Sequence, residues 1–300
     1  MTPSIEPIQL GALNAWRVRR GQQELIIAEQ GAQILRYQQD EHALLWLSEE
    51  AAFNPKQGVR GGAPICWPWF GDLKRNPQAL QAQHQSLAQA PFHGAARTLD
   101  WTLEYAQIEG SSAVLRLSLN SQEQPIADWP YQAKISCEIR LDERLQITLS
   151  NHNLGQTPLA ISQALHSYFA VSDIRQVAVQ GLDGCRYIET LEDWQMRQQQ
   201  GALRFAGETD RIYLDVPNTL RLEDAGWQRT ICLEATGSRS AVLWNPWIDK
   251  AQRLSDFAAD AWQRMLCIET ANIWDDCLEL APGASHSLHL SLWSEPHSRA

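Results

Sequence analysis

Ala133-Lys134-Ile135-Ser136-Cys137-Glu138-Ile139-Arg140-Leu141 places an apolar residue at every second position, with a polar or charged one between. Successive side chains of a strand point to opposite faces, so this spacing gives one buried face and one wet face. Leu145-Gln146-Ile147-Thr148-Leu149-Ser150-Asn151 repeats the pattern, as do Ala113-Val114-Leu115-Arg116-Leu117-Ser118-Leu119 and, after the turn Leu280-Ala281-Pro282-Gly283, Ser287-Leu288-His289-Leu290-Ser291-Leu292-Trp293. Shorter apolar or alternating runs lie at Leu25-Ile26-Ile27-Ala28, Gln33-Ile34-Leu35-Arg36-Tyr37 and Leu44-Leu45-Trp46-Leu47. Helical turns are expected only over 190–200 and 251–262, and the Gln-rich stretch 78–89 reads as a polar loop. Many short strands with few helices predict an all-β protein, an antiparallel sandwich of two large sheets. No linker, repeat or low-complexity run divides the chain, so 1–300 is expected to be a single domain.

The 300 residues are 44% hydrophobic and 20% charged, enough apolar content for a large core. A formal net charge of −10 is the wrong balance for a nucleic-acid binder. It does not exclude a small anionic ligand, because salt screens distant charge while local arginines act at contact. No run of about 18 apolar residues marks a membrane span. The start, Met1-Thr2-Pro3-Ser4-Ile5-Glu6-Pro7, lacks the basic and apolar regions of a secretory signal, so a cytoplasmic location is expected. The six cysteines, Cys66, Cys137, Cys185, Cys232, Cys267 and Cys277, show no C-x-x-C spacing and read as reduced thiols.

One segment breaks the alternation. Val59-Arg60-Gly61-Gly62-Ala63-Pro64-Ile65-Cys66-Trp67-Pro68-Trp69-Phe70-Gly71 suits neither a helix nor a central strand, because its glycines and prolines oppose both. It reads as a fixed, aromatic-lined loop presenting Arg60. Aromatic faces suit sugar C–H faces, and a guanidinium fork suits phosphate or carboxylate. Glu269 is the other anomaly, a lone carboxylate in the apolar run Met265-Leu266-Cys267-Ile268-Glu269-Thr270-Ala271. Burying such a group is costly unless it is paired or used.

The loop motif resembles that of the glucose-6-phosphate 1-epimerases, the hexose-6-phosphate mutarotases of the aldose 1-epimerase superfamily. Four further segments agree in order: Phe92-His93-Gly94-Ala95-Ala96-Arg97, Ala164-Leu165-His166-Ser167-Tyr168-Phe169, Thr209-Asp210-Arg211-Ile212-Tyr213 and Cys267-Ile268-Glu269-Thr270-Ala271. The resemblance covers about residues 25 to 292 and sharpens the expected fold to the galactose-mutarotase-like β-supersandwich, with a site in a concave sheet face. It implies that His166 is the general acid at the ring oxygen and Glu269 the general base at the anomeric hydroxyl. It further implies that Arg60 and Arg97 hold the substrate, particularly its 6-phosphate, while His93 and Asp210 bind sugar hydroxyls. No cofactor and no metal are implied. The expected partner is a small molecule, a hexose 6-phosphate, and the chain is compatible with a monomer.

Two other readings compete. One is a non-catalytic sugar-phosphate binder on the same scaffold; the presence of both His166 and Glu269 counts against it. The other is an epimerase for unphosphorylated aldoses, against which Arg60 and Arg97 count. Phe92 departs from relatives that carry a substrate-contacting glutamine there, which leaves sugar selectivity open. Trp244-Asn245-Pro246-Trp247 reads as a structural turn, with a sugar-stacking surface as the alternative, and Asp249 and Lys250 receive no chemical role. Ordinary pKa values would give an acidic limb of activity from Glu269 and an alkaline limb from His166.

Overall fold

The computed structural model describes residues 2–39 and 41–297. Its backbone is a nine-stranded antiparallel sheet facing an eight-stranded one, flanked by a five-stranded N-terminal sheet of residues 4–43. The nine-stranded sheet holds the alternating runs as neighbours: Ser112–Asn120, Ala133–Leu141, Leu145–Asn153 and Ser285–Pro296. Register stacks their apolar positions across the sheet. Ile139 lies opposite Leu115 and Ile147, and Ile147 lies opposite Leu290. All four are buried. Cross-strand apolar pairs of this kind carry much of a sheet's stability.

The eight-stranded sheet is less legible from sequence. Its central strand, Met265–Asn272, is buried at every position. It pairs with Ser240–Asn245 on one side and with Gln163–Leu165 and Tyr168–Ala170 on the other. Leu266 and Ile268 enter the main core, while Glu269 and Ala271 belong to the concave face. A second, smaller apolar cluster covers that face and includes Ile188, Ile212, Val242 and Ala271.

Four local expectations are corrected. The 190–200 stretch is a turn followed by the strand Gln195–Gln198, because this segment pairs with Arg186–Glu189. Over 251–262 only the ends are helical, as Trp247–Ala251 and the 3-10 turn Ala261–Arg264. Leu44–Leu47 makes isolated bridges, Leu45 to Phe169 and Leu47 to Gly61, and no continuous strand. Within 78–89 one short helix, Gln78–Gln81, forms and buries Leu80. Among the described residues, no helix is long and apolar enough to cross a membrane.

Candidate active site

The 59–71 loop is held from below. Buried Gln33 donates its Nε2 to the carbonyls of Val59 (3.1 Å) and Gly61 (2.7 Å). Gly62 has φ +66, and a Cβ there would sit 2.1 Å from the Ile34 carbonyl oxygen, so only glycine allows this approach. The loop's tryptophans face inward. Trp67 and Trp69 are buried, donating to Asn151 Oδ1 (2.8 Å) and to the Pro91 carbonyl (2.8 Å). They brace the loop and form no sugar platform, contrary to the aromatic-lined reading. Only Phe70 and Arg60 of this segment, with Gly71, reach the cavity. Indole N–H groups need partners when buried, and the core supplies them here.

Arg60, His93, Arg97, His166, Asp210 and Glu269 all line one cavity of about 590 Å³ on the concave face. They arrive on five pieces of chain, with His93 and Arg97 sharing the 92–97 segment. Glu269 comes from the central strand, and Asp210 from Thr209–Leu214 two strands away, where period-two alternation places it beside Ile212 on the cavity side. His166 sits in the break between the strands Gln163–Leu165 and Tyr168–Ala170. The Ser167 N–H bonds the Leu165 carbonyl and the His166 N–H bonds the Pro64 carbonyl, which fixes the turn. His93 has φ +67 and opens the tight turn to Gly94.

His166 Nε2 lies 3.4 Å from Glu269 Oε1. Both side chains are buried, and His166 Nδ1 and Glu269 Oε2 have no hydrogen-bond partner among the described residues. Burial drives each group toward its neutral form. It pushes the Glu269 carboxyl well above the usual carboxylate range, with further upward pressure from Asp210. It depresses His166 to about 3, with Arg97 and Arg60 adding repulsion. Burial thus shifts the two groups in opposite directions, the carboxyl up and the imidazole down. Cys267 brings its sulfur into the same group, within 4.8 Å. Burial and the nearby Glu269 carboxyl raise its thiol well above its ordinary value, so it stays protonated.

The surroundings are aromatic and cationic. Tyr168 stacks on His166 at 4.8 Å and 7° and meets Arg60 Nη1 at 3.4 Å through its hydroxyl. His93 meets the His166 ring edge-on at 5.1 Å. The Gly71 N–H donates to His93 Nδ1 (3.2 Å), so the neutral ring carries its proton on Nε2. Burial holds His93 well below its ordinary pKa, keeping it neutral. Arg97 donates to the Phe92 carbonyl (2.8 Å), and its Nε is buried without a partner among the described residues. Neither Arg60 nor Arg97 pairs with a carboxylate among the described residues. Asp210 is pushed up to about 6 by burial, and Lys250, 3.9 Å away, works against that rise.

Sequence reasoning missed several lining residues. Lys250 faces the cavity although it reads as loop, and Trp244 faces it too, as the alternative reading of its segment expected. At its mouth Trp194 and Trp274 meet at 5.6 Å, with the Arg75 guanidinium 5.0 Å over Trp194. Both tryptophans have positive φ, at 59° and 55°, a backbone region bulky residues rarely adopt. Phe92 stands 57% exposed at the same rim, edge-on to His93.

Residues 15–293 match the family model for aldose 1-epimerase. The chain belongs to the aldose 1-epimerase family. A protein of Escherichia coli K12 named "Putative glucose-6-phosphate 1-epimerase" is 31% identical over 273 residues, covering 90% of this chain and 87% of that one. A Cenchrus ciliaris protein of the same name is 31% identical over 279 residues, covering 89% and 80%. The crystal structure of a "putative mutarotase (YeaD)" from Salmonella typhimurium superimposes with a TM-score of 0.87 at 29% identity, over 97% of this chain and 94% of that one. A galactose mutarotase-like protein from Clostridium acetobutylicum shares the fold, with a TM-score of 0.70 at 14% identity. The all-β, galactose-mutarotase-like architecture expected from sequence is thereby borne out.

Proposed function

We propose that this epimerase interconverts the α and β anomers of hexose 6-phosphates, with glucose 6-phosphate its first substrate, using Glu269 as base and His166 as acid. The observation that carries the reading is the 3.4 Å contact between His166 Nε2 and Glu269 Oε1 in a cavity shared with two guanidiniums that lack carboxylate partners among the described residues. The curated relatives are named for glucose 6-phosphate, which supports the same substrate.

The chemistry needs two proton transfers at one carbon. Glu269 takes the proton of the anomeric hydroxyl while His166 gives one to the ring oxygen. The bond from C1 to the ring oxygen breaks and a C1 carbonyl forms. Rotation about C1–C2 turns the other carbonyl face to the ring oxygen, and closure returns both protons. The two reacting oxygens share C1, so acid and base must stand close together, as they do here. Each positioned group supplies about 10²–10⁴ in rate. For this direction of transfer the pair's proton must begin on His166.

Around this centre His93 Nε2–H donates to a sugar hydroxyl, the Asp210 carboxylate accepts from others, and Trp244 offers an apolar face. Arg60 and Arg97 take the 6-phosphate, where charge-assisted bonds are strongest. Lining residues run from Arg60 to Trp274, which favours one working unit over the whole chain. We place that unit in the cytoplasm, where its substrate class is found.

Anomer exchange by magnetisation-transfer NMR at equilibrium tests the reading, with wild type, Glu269→Gln and an enzyme-free blank. Exchange above blank that needs Glu269 and favours glucose 6-phosphate over glucose and galactose is expected. Exchange at the blank rate with retained ligand binding would make the protein a binder. Equal rates for free and phosphorylated sugars would remove the phosphate assignment.

A further inference from the structure

We propose that His166, Cys267 and Glu269 form a site for a single zinc ion, which binds as an inhibitor and not as a cofactor. One ligand atom from each of these residues lies within 4.8 Å of the other two. Cys267 and Glu269 are two positions apart on the strand Met265–Asn272, so alternation turns both to the same side of the sheet. His166 meets them from the break after Gln163–Leu165, and its Nε2 stands 3.4 Å from Glu269 Oε1. Zinc bonds nitrogen and oxygen at about 2.0–2.1 Å in a tetrahedron, which sets such a pair about 3.3–3.4 Å apart. The spacing of two ligands is thus already in place, and rotation about the Cys267 Cα–Cβ bond brings the sulfur in.

A separate observation points to a ligand here. Glu269 Oε2 has no hydrogen-bond partner among the described residues, although the residue is only 2% exposed. Glu269 and His166 both line the cavity, which gives an ion its way in. Sulfur, nitrogen and oxygen donors together suit zinc, whereas magnesium and calcium take oxygen ligands. A Cys267 thiolate and a Glu269 carboxylate neutralise the two charges of the ion. A neutral imidazole completes a three-ligand set, with the fourth position open to the cavity. No electrons are transferred; the thiol proton, with any proton on the carboxyl, leaves to solvent. Arg60 and Arg97, in the same cavity, repel a free cation but face a neutral complex once the ion is seated.

The ion inhibits because it occupies the lone pairs of the acid and the base, a step that rests on the roles proposed for His166 and Glu269. Zinc and sugar then exclude one another. Zinc should raise KM for glucose 6-phosphate and leave kcat unchanged.

Cobalt(II) is the optical probe of the site in the full-length protein, its thiolate charge-transfer absorption reporting a bound cysteine. One cobalt per chain is expected, displaced by zinc and not by magnesium. Its band should persist in a Cys185→Ser, Cys277→Ser double variant, which lacks the two half-buried thiols, and vanish in Cys267→Ala. Calorimetry should show zinc binding weakened about tenfold or more in Cys267→Ala and in Glu269→Gln, tenfold being the least that loss of even a supporting partner costs. In the NMR exchange assay, Cys267→Ala should need about tenfold or more zinc for the same fractional inhibition, each protein being measured against its own metal-free rate. A wild type that binds neither metal, cobalt that binds without the band, or a band that survives in Cys267→Ala overturns the site. Zinc that binds as expected and leaves exchange unslowed overturns its inhibitory role. The expected band in a protein whose metal-free exchange stays at the blank rate removes the proposed function and leaves the metal site standing.

Discussion

Leu145–Asn153 and Met265–Asn272 are both interior strands of antiparallel sheets, and they differ in what their polar residues do. In the first, burial alternates along the strand, and its Thr148 and Ser150 bond to His289 and Ser287 across the sheet. In the second every residue is buried, and Glu269 keeps one carboxylate oxygen without a partner among the described residues. A buried polar group without partners costs free energy, so such a group in a native protein calls for a use. The first strand is explained by its fold alone. The second makes sense only with the use proposed for Glu269.

The largest test of that contrast is Glu269→Gln. It should lower glucose 6-phosphate exchange about 10²–10⁴-fold, measured by NMR, while circular dichroism shows an unchanged sheet signature. Ile147→Ala should do the opposite. Removing this buried side chain, opposite Ile139 and Leu290, should cost about 2–5 kcal/mol in urea unfolding and leave the exchange rate per folded molecule unaltered. Loss of exchange with full stability in that variant would erase the distinction between the two strands.

Arg97→Gln should raise KM for glucose 6-phosphate roughly ten- to hundredfold, the worth of a charged hydrogen bond, with a much smaller change for free glucose. Next in size is a pH effect. Asp210 is pushed up to about 6 by burial, with Lys250 opposing, and it accepts hydroxyl protons only when ionised. kcat/KM for free glucose should therefore fall as pH drops through about 6, and Asp210→Asn should lack that limb. Free glucose is the right substrate because a phosphate ester titrates near pH 6 as well.

The smallest effect is on stability. The folded protein holds the Glu269 proton more tightly than the unfolded chain does. Its contribution is thus fully present below about pH 4.3 and is lost as pH rises through the raised folded value. Glu269→Gln should flatten the decline in melting temperature between pH 4 and pH 8. An equal decline in both proteins would show that the carboxyl ionises freely in the fold.

Legibility from sequence followed the same divide. The alternating runs placed Ala133–Leu141 to the residue and Leu145–Asn153 nearly so, while 287–293 marked only the middle of the final strand, Ser285–Pro296. All six residues expected at the site meet in one cavity. What failed had no local signal. Trp67 and Trp69 sit in the most aromatic stretch of the chain and turn into the core, while the cavity's tryptophans, Trp194, Trp244 and Trp274, come from turns and strand ends. Lys250 looked like a solvated loop residue until the fold set it beside Asp210.

By itself the sequence determined the all-β class, because period-two alternation needs no knowledge of distant partners. It also exposed Glu269, because one carboxylate in an apolar run is anomalous wherever the run goes. The tertiary structure alone decided which residues share the cavity and in which direction burial shifts His166 and Glu269. Those depend on burial and on charges brought close from remote parts of the chain, and neither exists until the sheets have closed on one another.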